Sequence, residues 1–96
     1  MRNVFLVTYD IMDPKRWSKV HRTMKGFGEP LQYSVFACDL ADAQRVLMVA
    51  ALERLIKADT DRVIIVNLGP AEGNAADRVT FLGRQGPLPE RGPVIV

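Results

Sequence analysis

Gly28-Glu29-Pro30-Leu31-Gln32-Tyr33-Ser34-Val35-Phe36-Ala37-Cys38 decides the fold, because reading it as one strand or two sets the order of everything around it. Over residues 32–38, Tyr33, Val35 and Ala37 alternate against Gln32, Ser34 and Phe36, the period of two that a pleated backbone imposes. Taken as a single strand, the segment gives the order β-α-β-α-β-β. If it is bent or interrupted near Glu29-Pro30 and counts twice, the order becomes β-α-β-β-α-β, in which both helices share one face of an antiparallel sheet. Local periodicity leaves both orders open, within an α/β sandwich whose helices cover one sheet face.

Toward the amino terminus, residues 4–9 form a β-branched and aromatic run, a strand by composition. Asp13-Pro14 then starts a helix, since Asp accepts from free backbone N–H groups and Pro suits the first helical position. Trp17, Val20, Met24 and Phe27 recur at helical spacing over 14–25, and Gly26 and Gly28 close the helix. Toward the carboxyl terminus a second helix is expected over 42–57, apolar over a wide arc. Asp59-Thr60-Asp61 reads as a turn, and residues 62–68 as a strand whose Val63-Ile64-Ile65-Val66 centre is the most buried. A small-residue loop leads to a further strand at 79–82. Residues 1–84 thus make one domain, and the Pro- and Gly-rich residues 85–96 a tail with a short strand at 94–96.

A chain of 96 residues has room for one core. Its 48% hydrophobic and 25% charged residues place it among soluble globular proteins. No apolar stretch approaches the ~20 residues of a membrane span, and the amino terminus carries no small-residue cleavage site, so no membrane partner is expected and the cytoplasm is the expected compartment. Cys38 is the single cysteine and His21 the single histidine, which excludes an internal disulfide and a Cys/His zinc site. A metal would need oxygen ligands, pointing to magnesium, manganese or calcium.

The net charge of +2 hides a concentration of cations. Lys15, Arg16, Lys19, Arg22 and Lys25 are five of the thirteen Lys and Arg, and no acidic residue lies between Pro14 and Gly28. On a helix, Lys15, Lys19 and Arg22 point away from Trp17, Val20 and Met24. Such a face can be merely solvated, but the missing carboxylates at i±4 suit a phosphate backbone better. Asp10, ending the strand at 4–9, stands at a sheet rim, where it either caps a turn or holds a ligand. One carboxylate is too few for a metal cage; a two-fold axis doubles it, and two close carboxylates repel unless a divalent cation lies between them. Tyr9, Tyr33 and Trp17 read as core aromatics, His21 as a surface residue, and Gln32 and Ser34 as outward-facing ladder residues.

Phe5-Leu6-Val7-Thr8-Tyr9-Asp10-Ile11, Asp13-Pro14-Lys15-Arg16-Trp17-Ser18-Lys19-Val20, Gly28 and Gln32-Tyr33-Ser34-Val35-Phe36 together resemble the small CRISPR-associated adaptation protein family, the second in the Cas numbering. The resemblance covers most of residues 4–40; beyond Pro70 no motif aligns. It implies an α+β, ferredoxin-like βαββαβ sandwich with an extra carboxyl-terminal strand, assembled as a symmetric homodimer, with residues 94–96 pairing onto the partner subunit. It implies that Asp10 binds Mg2+ or Mn2+ at the dimer interface, supporting endonuclease cleavage of RNA or duplex DNA. Tyr9, Arg16 and Phe36 match other positions linked to that activity. Lys15, Arg16, Lys19 and Arg22 would then hold the nucleic acid. The implied cellular role is spacer acquisition beside a CRISPR integrase partner. A non-catalytic DNA-binding adaptor and a ferredoxin-like ribonuclease toxin are the rival readings. The family's helix-capping Ser before the second helix is Ala41 here, a departure that bears on stability more than on function.

Overall fold

A computed structural model describes residues 1–84, and the short strand expected at 94–96 lies outside the described residues. The elements are β1 (Arg2–Asp10), α1 (Pro14–Lys25), β2 (Glu29–Gln32), β3 (Val35–Ala41), α2 (Asp42–Leu55) and β4 (Arg62–Pro70), followed by a 3-10 turn at Ala75–Arg78. The strands form one antiparallel sheet in the order β2-β3-β1-β4. This is the βαββαβ ferredoxin-like arrangement implied by the resemblance, and it corrects the β-α-β-α-β-β order that a single central strand would give.

The correction turns on Tyr33-Ser34. Gln32 pairs with Val35, so these two residues are the whole loop of a hairpin, and the interruption falls there rather than near Glu29-Pro30. Two-residue hairpins usually announce themselves through Asn-Gly or Asp-Gly, which tolerate positive φ. Among the described residues no non-glycine has positive φ, so nothing in the local sequence marks the turn. Tertiary contacts hold it instead: Ser34 Oγ accepts from Trp17 Nε1 at 2.9 Å, and Tyr33 O accepts from Tyr9 Oη at 3.0 Å. Pro30, which cannot donate to a ladder, sits on the edge strand β2 beside a register shift.

The core lies between the sheet and the helices. Phe5, Val7 and Tyr9 of β1 and Phe36, Cys38 and Leu40 of β3 face Val20 and Met24 of α1 and Met48 and Leu52 of α2. The buried set of β3 is therefore Phe36, Cys38 and Leu40, whereas Val35 and Ala37 share the opposite face with Leu6 and Thr8. Two further expectations are corrected. The strand centred on Ile64 and Val66 is an edge strand, not the most buried one, and these two side chains are 50% and 41% exposed. Residues 79–82 form no strand, because no neighbour offers them a ladder among the described residues.

The helix ends follow their caps. Asp13 Oδ2 accepts from Arg16 N at 2.9 Å and Pro14 opens α1. At α2 the alanine in the cap position offers no acceptor, and only Gln44 Oε1 reaches back, accepting from Ala41 N at 2.8 Å. No helix among the described residues is long and apolar enough to cross a membrane.

Gly28 hands the chain from α1 to β2, passing so close to β3 that a Cβ there would overlap Ala37 O and Cys38 Sγ. Neither neighbour can yield, since one is backbone and the other is buried. Gly28→Ala should therefore cost about 1–3 kcal/mol in denaturant unfolding, the usual penalty of overpacking. A variant as stable as the wild type would contradict this close approach.

Candidate nucleic-acid and metal site at the rim of the central strand

The last two residues of β1 point to opposite sides of the sheet. Tyr9 is 5% exposed and lies under α1, while Asp10 is exposed at the rim of the uncovered face. The Tyr9 hydroxyl proton goes to Tyr33 O, because a carbonyl can only accept. His21 Nδ1, 2.8 Å from the same hydroxyl, must then carry the proton and donate to it. Burial, reinforced by Lys25, pushes the His21 pKa down, consistent with a neutral ring in that tautomer. Burial also pushes the Tyr9 phenol up, so it stays protonated. His21 is thus part of the internal packing and not the surface residue expected; its ring stacks on Trp17 with centroids 4.6 Å apart.

Phe36 closes this cluster from β3, its ring 6.2 Å from that of Tyr9. The geometry places Tyr9 and Phe36 on the helix-covered face, whereas Asp10 opens to the other. Cys38 lies in the same core, burial raising its thiol pKa to about 11, so it is no nucleophile.

Arg16 is engaged elsewhere. Its Nε donates to Asp61 Oδ2 at 2.8 Å and its Nη2 to Asp61 Oδ1 at 3.1 Å, a two-pronged pair. The Asp61 side chain is fully buried. It also accepts from Met12 N at 3.0 Å, Lys57 N at 2.8 Å and the Thr60 hydroxyl at 3.3 Å. The Arg16 guanidinium, with the Lys57 and Met12 amides, holds the Asp61 carboxyl well below the usual carboxylate range. Lys15, Lys19 and Arg22 remain exposed along one face of α1, and none forms an ion pair with a described residue. These cations are available to a ligand.

One cation escaped the sequence reading. Arg62 opens β4 directly opposite Asp10 in the ladder, so the two exposed side chains share the uncovered face. Only the strand register reveals this pair, which is fifty-two positions apart in the chain. Among the described residues no group of three or more His, Cys, Asp or Glu is placed to hold a metal. At the rim Asp10 presents an exposed carboxylate, a hard oxygen donor. That suits magnesium, which keeps several waters and takes one or two carboxylates, when a second copy supplies the other.

Because Asp61 ionises more readily in the folded chain than in the unfolded one, its stabilising contribution is complete above the unfolded pKa of about 3.9 and fades as pH falls below it. The stability gap between wild type and Asp61→Asn should thus be constant from pH 7 to about 5 and narrow below about 4 in unfolding titrations. Parallel stability curves down to acid pH would contradict the buried anion.

Comparison with known proteins places this geometry in context. The family model described as CRISPR associated protein Cas2 matches residues 2–74. A CRISPR-associated endoribonuclease Cas2 of Rhodospirillum rubrum is 50% identical over 70 residues, covering 73% of this chain and 69% of that protein. Its counterpart in Geobacter sulfurreducens is 39% identical over 84 residues, 88% of this chain and 87% of that protein. Among solved structures, Streptococcus pyogenes Cas2 superposes with a TM-score of 0.74 at 33% identity, covering 83% of this chain and 99% of the other. A protein of Thermus thermophilus described as hypothetical gives 0.75 at 32% identity, covering 94% and 100%. With the βαββαβ sheet shared and residues 2–74 matched by the family model, this protein belongs to the CRISPR-associated Cas2 family.

Proposed function

We propose that the chain acts as a homodimer in CRISPR adaptation, gripping nucleic acid through α1 and cleaving phosphodiester bonds at a rim built from Asp10 of both subunits. The observation that carries this reading is the exposed Asp10 on the face the helices leave bare, with Arg62 beside it. The same face exposes Ile64 and Val66 next to Leu6 and Thr8 of β1, an apolar surface that a second sheet can cover. Sheet-on-sheet packing about a two-fold axis would bring the two Asp10 carboxylates together. The endoribonuclease names of the R. rubrum and G. sulfurreducens relatives support RNA as a substrate. Duplex DNA, an integrase partner and spacer acquisition rest on the family resemblance.

The chemical roles follow from placement. Asp10 would hold magnesium or manganese, since no described group of three or more His, Cys, Asp or Glu offers a ready cage. Bound there, the cation supplies Lewis acidity toward a phosphate oxygen. Lys15, Lys19 and Arg22 neutralise backbone phosphates along one helix face. Arg62 is placed to offset charge gathering at the phosphate facing Asp10. Tyr9 and Phe36 support the strand end from beneath it. Arg16 fixes the loop through Asp61.

A second reading, a non-catalytic nucleic-acid adaptor, is favoured by one feature: among the described residues no group of three or more His, Cys, Asp or Glu gathers to hold a metal, which makes a sparse catalytic centre. The two readings separate in one experiment. Asp10→Ala should abolish magnesium-dependent cleavage of labelled RNA while retaining binding. Lys19→Ala and Arg22→Ala should each weaken binding and lower the slope of log affinity against log salt by about 0.7–0.9 per lost contact. Binding without cleavage by the wild type would establish the adaptor reading.

A further inference from the structure

We propose that Asp61 is the positioning residue of the rim, holding the Asp10 carboxylate and the Arg62 guanidinium in a fixed relation. This inference rests on the reading of Asp10 as the cation-binding group. Its basis is a closed circuit of chain. Asp10 pairs with Arg62 in the ladder, and Met12, two residues beyond Asp10, donates its N–H to the Asp61 carboxylate next to Arg62 in sequence. Two short stretches, 10–12 and 61–62, are thereby joined at both ends. A strand terminus that would otherwise fray is clamped at the point where its last side chain does its work.

The choice of residue is informative. Burying a carboxylate is costly, and replacing a buried ion pair by well-packed apolar groups is often neutral or stabilising. Asp61 is nevertheless a fully buried anion with bonds to three separate segments: Met12 after β1, Arg16 in the first turns of α1, and Lys57 after α2. An apolar side chain could fill the space but could not aim two backbone N–H groups and a guanidinium at one point. Arg16 acts within the same device. Its Nε and Nη2 both face Asp61, so it influences the rim through Asp61 and not by meeting a phosphate.

The test is Mn2+ binding followed by electron paramagnetic resonance at a temperature where every variant is folded. The variants are Asp10→Ala, Asp61→Asn, Asp61→Glu and Met48→Ala. Asp61→Asn should raise the Mn2+ dissociation constant by about 10–100-fold, the range seen when groups supporting a metal ligand are removed. Asp61→Glu keeps the charge but displaces it, and should weaken Mn2+ in the same direction; it carries the test if Asp61→Asn does not fold. Met48→Ala removes a fully buried side chain of α2 away from the rim, and should lower the unfolding midpoint while leaving Mn2+ affinity unchanged. Wild-type affinity in both Asp61 variants, with binding lost in Asp10→Ala, would overturn the proposal and leave the role of Asp10 intact. Equal weakening by Met48→Ala would reduce the effect to stability and also overturn it. Undiminished binding in Asp10→Ala would remove the reading on which the proposal stands, and the proposal with it.

Discussion

The structure depends on the two-sidedness of its central strand. β1 is bonded along both edges, to β3 and to β4, so it can neither rotate nor slip without breaking two ladders. A shift by one residue would invert every side chain, exposing Phe5, Val7 and Tyr9 and burying Asp10. The apolar alternation that builds the core therefore also fixes the direction of the rim carboxylate. Folding and placement of the site are one event in this chain.

Two kinds of force divide the remaining work. Apolar burial beneath the sheet supplies cohesion, through Phe36, Met24, Met48, Val7 and Val20, all fully buried. Directional polar bonds then fix what burial alone leaves loose. Tyr9 and Trp17 pin the Tyr33-Ser34 hairpin, and Asp61 pins the turns at the rim. The helices cover one face only, and the other carries Ile64 and Val66 into solvent beside the charged end at Asp10 and Arg62. Under the proposed function, that bare face meets its copy, and the charged end becomes the shared site.

Much of this was legible in the chain itself. The β-branched run ending in Tyr9-Asp10, the Asp13-Pro14 start and the apolar stripe of α1 are local signals, and the structure reproduces them. The hairpin was not legible locally, because Tyr33-Ser34 turns without positive φ and owes its shape to Trp17 and Tyr9. The edge position of β4 is hidden for a related reason: a continuous apolar run looks alike whether it lies at the centre of a sheet or at the edge of one with a bare face. The cationic face of α1 was visible from spacing. The diversion of Arg16 to Asp61 was not, since that pair spans forty-five positions. Arg62 beside Asp10 likewise needed the register between β1 and β4.

Under the proposed function each subunit contributes one carboxylate to a rim completed by its copy. Calorimetric titration of Mn2+ into the purified protein, combined with the molecular mass in solution, tests this most directly. The expected result is a dimer that binds about one ion for every two chains, with binding lost in Asp10→Ala. A monomer that binds one ion per chain, or a dimer whose ion binding survives Asp10→Ala, would contradict it.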